Sequence, residues 1–356
     1  MIEGFHYIET ESIIYDSKLL DESVPVVPVN LKMISDFCST LDSMMQKFPD
    51  DRFVLRSNPA CKTWTNTVLL IGSFMLLNLS SSLERVKAIM KPVLKLHAGA
   101  GLSSSAELVE NDPHLVDYWE GLNIANQHGW FCPMNKYFDD AEYAHFANRL
   151  NADLNEIIPG KMIAMRGPKS LPQGVTFQDT KYDEASCQRD FSPEHYIQIL
   201  HQFDVKVVVR LNRPEYDKQV LIDAGIAVAD LFFDEDECPP PDIVAKFMMI
   251  AEGVHGAVAV HSDAGLGRTG TLIALYTMTH HGFSARQAMA WLRIVRPGSV
   301  AKGQQRYLCE REAVMRRMAA LCQPSGALCA DADGGVAGVM RLIEAASATV
   351  DFRMAA

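Results

Sequence analysis

The chain has 356 residues with 33 basic and 44 acidic side chains, a formal net charge of −11, and 48% hydrophobic against 22% charged residues. Acidity of this size excludes a general nucleic-acid binder, which needs clustered Lys and Arg against phosphate, and the apolar content excludes a chain disordered throughout. The length suggests two domains of about 150 residues and a tail.

Taken from the N-terminus, Met1-Ile2-Glu3-Gly4 lacks the basic, apolar and small-residue succession of a signal peptide. Eight cysteines are too sparse for a disulfide scaffold, so reduced thiols in an intracellular protein are expected. Between 31 and 48, Met33, Ile34, Phe37, Leu41, Met44 and Met45 recur at helical spacing, and Pro49 ends the pattern. A short strand over 52–55 and a polar loop over 56–66 follow. The longest apolar stretch, 67–79, contains Gly72, Ser73 and Asn78 and is shorter than the roughly 20 residues of a membrane span, so it reads as a buried helix. A second helix opens on a capping box, Ser81 with Glu84, and breaks near Pro92. Residues 137–158 carry a mixed helical pattern that ends at Pro159-Gly160, a linker helix.

The second half repeats strand, loop, buried helix, helix. Residues 205–211 are a β-branched run, 218–224 suit a helix closed by Gly225, and 226–233 are strand-like. A helix over 241–253 starts with Pro241, and 257–261 is a buried strand. After a Gly-rich loop come an apolar helix over 271–281, ended by Gly282, and a helix capped by Ser284 with Gln287 three residues on. The alternation predicts an α/β fold with a largely parallel sheet flanked by helices. The likeness of 52–79 to 257–280 predicts two related domains, 1–136 and 161–312, joined by a linker helix at 137–160. Residues 313–356 form a small-residue tail with one last helix over 339–350 and no chemistry of its own.

The chemistry lies in the loop His261-Ser262-Asp263-Ala264-Gly265-Leu266-Gly267-Arg268-Thr269-Gly270, after a strand and opening a helix. Gly265, Gly267 and Gly270 spell the dinucleotide fingerprint, but that needs an acid about 20 residues on, and no Asp or Glu occurs from Ala264 to Cys309. A plain structural turn accounts for the glycines and leaves Arg268 and Thr269 unexplained. An oxyanion cradle accounts for all of them: backbone N–H groups at a helix N-terminus hold a phosphate dianion, a planar guanidinium grips two of its oxygens, and glycines let the backbone approach. The same segment, 264–309, carries six basic side chains and no acidic one, so the acidic average conceals a basic surrounding for a single phosphate.

At these residues the chain resembles the cell-division-cycle-fourteen (CDC14) type dual-specificity protein phosphatases. The resemblance is carried by Ile158-Pro-Gly-Lys161, Val207-Val-Val-Arg-Leu-Asn212, Ala224-Gly225, Asp230-Leu-Phe-Phe233, Ala257-Val-Ala-Val-His261, the loop from Ala264 to Ala274, Ala290-Trp-Leu-Arg-Ile-Val-Arg-Pro-Gly-Ser299 and Gln304-Gln305. It is dense from about Phe138 to Glu310 and weaker before. It implies two phosphatase-like domains in tandem with only the second catalytic, and the N-terminal counterpart of the loop, around Cys61, lacks an Arg five residues beyond that Cys. It implies a phosphate cradle of His261, Asp263, Ala264, Gly265, Leu266, Gly267, Arg268 and Thr269. Gln304 and Gln305 match the pair that orients the hydrolytic water. It implies phosphoprotein partners, phosphoserine-proline segments among them, in cytoplasm or nucleus; no metal or other cofactor is expected, since no metal-ligand spacing occurs.

The chain departs from the family in four respects. Ser262 stands where the family has its nucleophilic Cys; a thiol is held as thiolate by the positive loop, whereas a hydroxyl in the same field stays protonated and needs a base. His261 fits a brace for the loop better than that base. Glu235, or its neighbours Asp234 and Asp236, stands where the family keeps its general acid. Asp263 replaces a usual Lys, and Ala144 and Ala147 stand where acidic side chains face a basic substrate residue, with Glu142 and Asp153 nearby. Together these point to a natural pseudophosphatase that binds phosphoproteins. An active phosphatase, an engineered Cys-to-Ser trap and a phosphate-independent scaffold are the competing readings.

Overall fold

The computed structural model describes residues 5–9, 29–56, 61–99, 111–131, 138–181, 187–321 and 335–354. In chain order the elements begin with β1 (Phe5–Glu9), α1 (Leu31–Lys47), β2 (Arg52–Arg56), α2 (Cys61–Leu77), α3 (Leu83–Gly99), α4 (Leu115–Gln127) and α5 (Asp140–Ala147). They continue with β3 (Leu154–Ile158), β4 (Met162–Arg166), β5 (Phe177–Lys181), β6 (Cys187–Phe191), α6 (Pro193–Gln202), β7 (Val205–Arg210), α7 (Gln219–Asp223) and β8 (Ala227–Asp230). Last come α8 (Pro241–Gly253), β9 (Ala257–Ser262), α9 (Gly267–His280), α10 (Ala285–Val295), α11 (Lys302–Leu321) and α12 (Val336–Met354). The chain divides into two units, Met1–Tyr143 with Arg286–Pro297, and Ala144–Ala285 with Gly298–Ala356.

In the first unit β1 and β2 pair in parallel, and helices surround a core of their own. Asn30 caps α1 by accepting the Met33 N–H at 3.0 Å, and Leu31, Ile34, Phe37 and Leu41 form its buried stripe. Helix α2 already begins at Cys61, so the expected polar loop over 56–66 is partly helical. Its Leu69 carbonyl accepts the indole N–H of the buried Trp119 at 3.1 Å. Helix α3 runs through Pro92 instead of breaking there, and the Arg85 N–H is accepted by Ser82 Oγ at 3.3 Å, one residue after the predicted cap. Arg286–Pro297 joins this unit because Arg293 Nη1 donates to the buried Asp112 at 2.9 Å and Gln287 to Glu120 at 2.8 Å.

The linker helix predicted over 137–160 is realised only as α5. Asn148 stops it: its carbonyl accepts the N–H of Asn151, Ala152 and Asp153, Asp153 takes φ +48°, and the apolar run after it pairs as β3. The second unit is built on a five-stranded sheet of order β3-β4-β9-β7-β8, parallel except for β3 against β4, with helices on it. Strand β9 lies at its centre and is buried along its whole length, as its Ala/Val run requires of an inner parallel strand. Ile163, Met165, Val208, Val228, Ala257 and Ala259 pack on one face with Tyr196 and Leu200 of α6 and Leu221 of α7. Helix α12 packs against α8, where a β-carbon on Gly253 would lie 2.7 Å from Leu342. Among the described residues no helix is long and apolar enough to cross a membrane.

The register fixes the place of the site. Arg166 at the end of β4 pairs with Ser262, while Arg210 at the end of β7 pairs with His261 on one side and Asp230 on the other. Four parallel strands therefore end level with one another, at the carboxyl edge where ligands of open α/β sheets bind.

Candidate active site

Strand β9 delivers Ser262, the chain turns at Gly265 with φ +67°, and α9 starts at Gly267, four residues before the predicted start. Gly265 is needed there twice over: for its left-handed backbone and because a β-carbon would overlap the Met165 carbonyl of β4, 2.5 Å from its carbon. Leu266 precedes α9 without a side-chain capping bond, and a β-carbon on Gly267 would meet Gln304 Oε1 at 3.0 Å. The positive end of α9 thus faces the Ser262 turn.

Ser262 is buried, and its Oγ accepts the Gly265 N–H at 3.2 Å and the Thr269 hydroxyl at 3.3 Å. His261 beside it is fully buried: Nε2 meets the Tyr216 hydroxyl at 3.0 Å, and Nδ1 lies 3.4 Å from the Ser262 carbonyl oxygen. Burial pushes its pKa down to about 4, so the ring is neutral at pH 7. The imidazole addresses the backbone and Tyr216, not Ser262 Oγ, which is the geometry of a brace.

Arg268 is buried, and both terminal nitrogens of its guanidinium are engaged. Nη1 donates to the carbonyls of Leu211 at 3.4 Å and Phe233 at 3.2 Å, and Nη2 donates to the Asp263 carboxylate. Asp263 Oδ1 accepts a second bond, from Asn212 Nδ2 at 3.2 Å. Asp263 does not turn away from the guanidinium into solvent; it pairs with it.

Gln304 and Gln305 lie in the first turn of α11 and are buried, Gln304 Oε1 accepting the Ala301 N–H at 3.3 Å and Gln305 Oε1 having no hydrogen-bond partner. Asp234, Glu235 and Asp236 are exposed in a turn closed by the Glu237 N–H on the Asp234 carbonyl at 3.2 Å. That turn follows directly on Phe233, whose carbonyl holds Arg268. The acidic turn is thereby tied to the loop by one residue.

Three groups at this edge escaped sequence reasoning. Asn212 holds Asp263, Tyr216 holds His261, and Arg210 donates to Asp230 at 2.6 Å and to the Tyr216 carbonyl at 2.9 Å. Although burial pushes Asp230 up, the donors from Arg210 and Lys218 outweigh it and hold the carboxyl below its ordinary range. Arg166 donates likewise to Asp190 at 2.7 Å. The available signal was an Arg directly after an apolar run at a strand's end, at Arg166 and at Arg210. Among the described residues no group of three or more His, Cys, Asp or Glu side chains is placed to hold a metal ion.

Comparison with known proteins places these residues in context. The family model "Dual specificity phosphatase, catalytic domain" matches residues 190–314. The chain is 33% identical over 316 residues to the dual specificity protein phosphatase CDC14AB of Danio rerio, covering 86% of this chain and 48% of that protein. It is 32% identical over 320 residues to human CDC14A, covering 86% and 50%, and 33% identical over 291 residues to human CDC14C, covering 80% and 61%. The chain spans about half the length of the first two. Among solved structures, PTPMT1 in complex with PI(5)P is matched over 47% of this chain and 98% of that one, at 18% identity and a TM-score of 0.37.

Proposed function

Given a dual-specificity phosphatase catalytic domain in a chain related to the CDC14 phosphatases over 86% of its length, we propose that this protein is a pseudophosphatase that binds phosphoproteins. One observation carries the reading: Ser262 Oγ receives two hydrogen bonds, from Gly265 and Thr269, while the neutral His261 beside it is committed to Tyr216 and a backbone carbonyl. A hydroxyl becomes a nucleophile only when a base takes its proton, and none of these contacts supplies one. The loop meanwhile keeps the parts that grip a phosphoryl group: a helix N-terminus, glycines that open the backbone and a buried Arg268. Removing a thiolate also removes a negative charge that would face the phosphate, which favours retention over turnover.

The partner is a protein bearing phosphoserine or phosphothreonine, with phosphoserine followed by proline as the first sequence to try. The test pairs an aryl phosphate assay with titration of a phosphoserine-proline peptide and its unphosphorylated twin. We expect no turnover above blank, and binding that requires both the phosphate and Arg268. Turnover that disappears in Arg268→Ala overturns the pseudophosphatase reading. Equal binding of the two peptides supports a phosphate-independent scaffold instead.

A further inference from the structure

We propose that Asp263 is a built-in competitor for the phosphoryl group, latching the guanidinium of Arg268 so that a phosphorylated ligand binds only by displacing it. This rests on the reading of the loop as a phosphate cradle, and it adds the device that regulates access to that cradle.

The argument is one of donors. Nη1 of Arg268 is committed to the carbonyls of Leu211 and Phe233, at the ends of the segments that carry β7 and β8, so it anchors the side chain to the sheet. Nη2 and Nε form the other edge of the guanidinium, and Nη2 is the atom that donates to Asp263. The pair is unequal in exposure: the Arg268 side chain is 4% exposed and that of Asp263 is 45% exposed. The cation is fixed and the carboxylate is the movable partner. Asp263 is also held from its other oxygen by Asn212, and its carbonyl accepts the Gly167 N–H at 3.2 Å, so the latch is supported from β7 and from the turn after β4.

A carboxylate oxygen and a phosphoryl oxygen are alternative acceptors for the same Nη2 atom, so Asp263 Oδ2 and a phosphoryl group compete for it. A phosphoryl dianion brings the greater charge and gains from the positive end of α9, which lets it prevail where a peptide carboxylate does not. Once displaced, Asp263 has solvent to turn into. The consequence is an anion site with a raised threshold, selective for phosphate over the acidic side chains that imitate it.

Titration calorimetry with inorganic phosphate tests this on the full chain. For an ion pair with one half-exposed partner, Asp263→Asn and Asp263→Ala should each tighten phosphate binding roughly two- to fivefold. Adding Arg268→Ala to Asp263→Asn should abolish the gain, with unfolding midpoints in the absence of phosphate confirming that the variants fold. If both Asp263 variants bind phosphate no more tightly than the parent while Arg268→Ala weakens it, the latch is wrong and the cradle stands. If Arg268→Ala changes nothing in any background, the cradle reading falls with it.

Discussion

Gly265 offers the sharpest quantitative test, because Gly160 supplies its control. Both glycines have nearly the same backbone conformation, φ +67° and +69°, but a β-carbon on Gly160 meets nothing within 4 Å, whereas on Gly265 it overlaps the Met165 carbonyl and lies 3.0 Å from the Arg166 nitrogen. Alanine at either position costs roughly 1–2 kcal/mol for the left-handed backbone. At Gly265 the obstructing atoms are backbone of a fully buried strand, so the loop has to move, which adds about 1–3 kcal/mol as other overpacked sites do. The expected totals are about 1–2 kcal/mol for Gly160→Ala and about 2–5 kcal/mol for Gly265→Ala. For a unit of 150–250 residues these correspond to falls in Tm of roughly 2–8 °C and 4–20 °C. The displaced loop also loses the 3.2 Å bond from the Gly265 N–H to Ser262 Oγ, so phosphopeptide affinity should fall at least about tenfold in Gly265→Ala alone. Scanning calorimetry and the phosphopeptide titration on both variants decide it. If Gly265→Ala costs no more than Gly160→Ala and keeps its affinity, the account of the loop seated on β4 is wrong.

Three further outcomes follow from the same geometry. Ser262→Cys should gain measurable aryl phosphatase activity, and Ser262→Cys with Asp263→Asn should exceed it by about tenfold, a difference of 1.4 kcal/mol at the transition state; equal rates would show that Asp263 does not burden the loop. Asp112→Ala removes the carboxylate paired with the buried Arg293 and should cost about 3–5 kcal/mol by denaturant unfolding, a loss below 1 kcal/mol contradicting the ion pair. His261, neutral in the fold with its pKa near 4, takes up a proton more readily when the chain unfolds, so stability is intact above pH 6.5 and declines as the pH falls toward 4, by at most ~1.4 kcal/mol per unit; denaturant midpoints between pH 7 and 4.5 should show this, and His261→Gln should remove that part of the slope.

Much of this protein could be read from its residues because the physics involved is local. A β-branched run makes a strand, Pro241 opens a helix, and Gly265 marks a tight turn between a buried strand and a helix; all three stand where expected. The identities of His261, Ser262, Arg268, Gln304 and Gln305 and the resemblance they carry were likewise present in one dimension. Element ends were less legible, since α5 stops at a turn made by Asn148 and α3 continues through Pro92, each settled by hydrogen bonds that composition does not reveal.

What the tertiary structure alone decided is the direction in which charges point. Sequence favoured His261 as a brace without showing what it holds, and left the partner of Asp263 undetermined, because a side chain's partner depends on which strand lies beside it. The parallel register of β4, β9, β7 and β8 brings Arg166, Ser262, Arg210 and Asp230 to one edge across separations of up to about a hundred residues. It sets Tyr216 against His261 and Asn212 against Asp263, and so turns a loop that reads as a phosphate grip into one whose arginine is already held by a carboxylate.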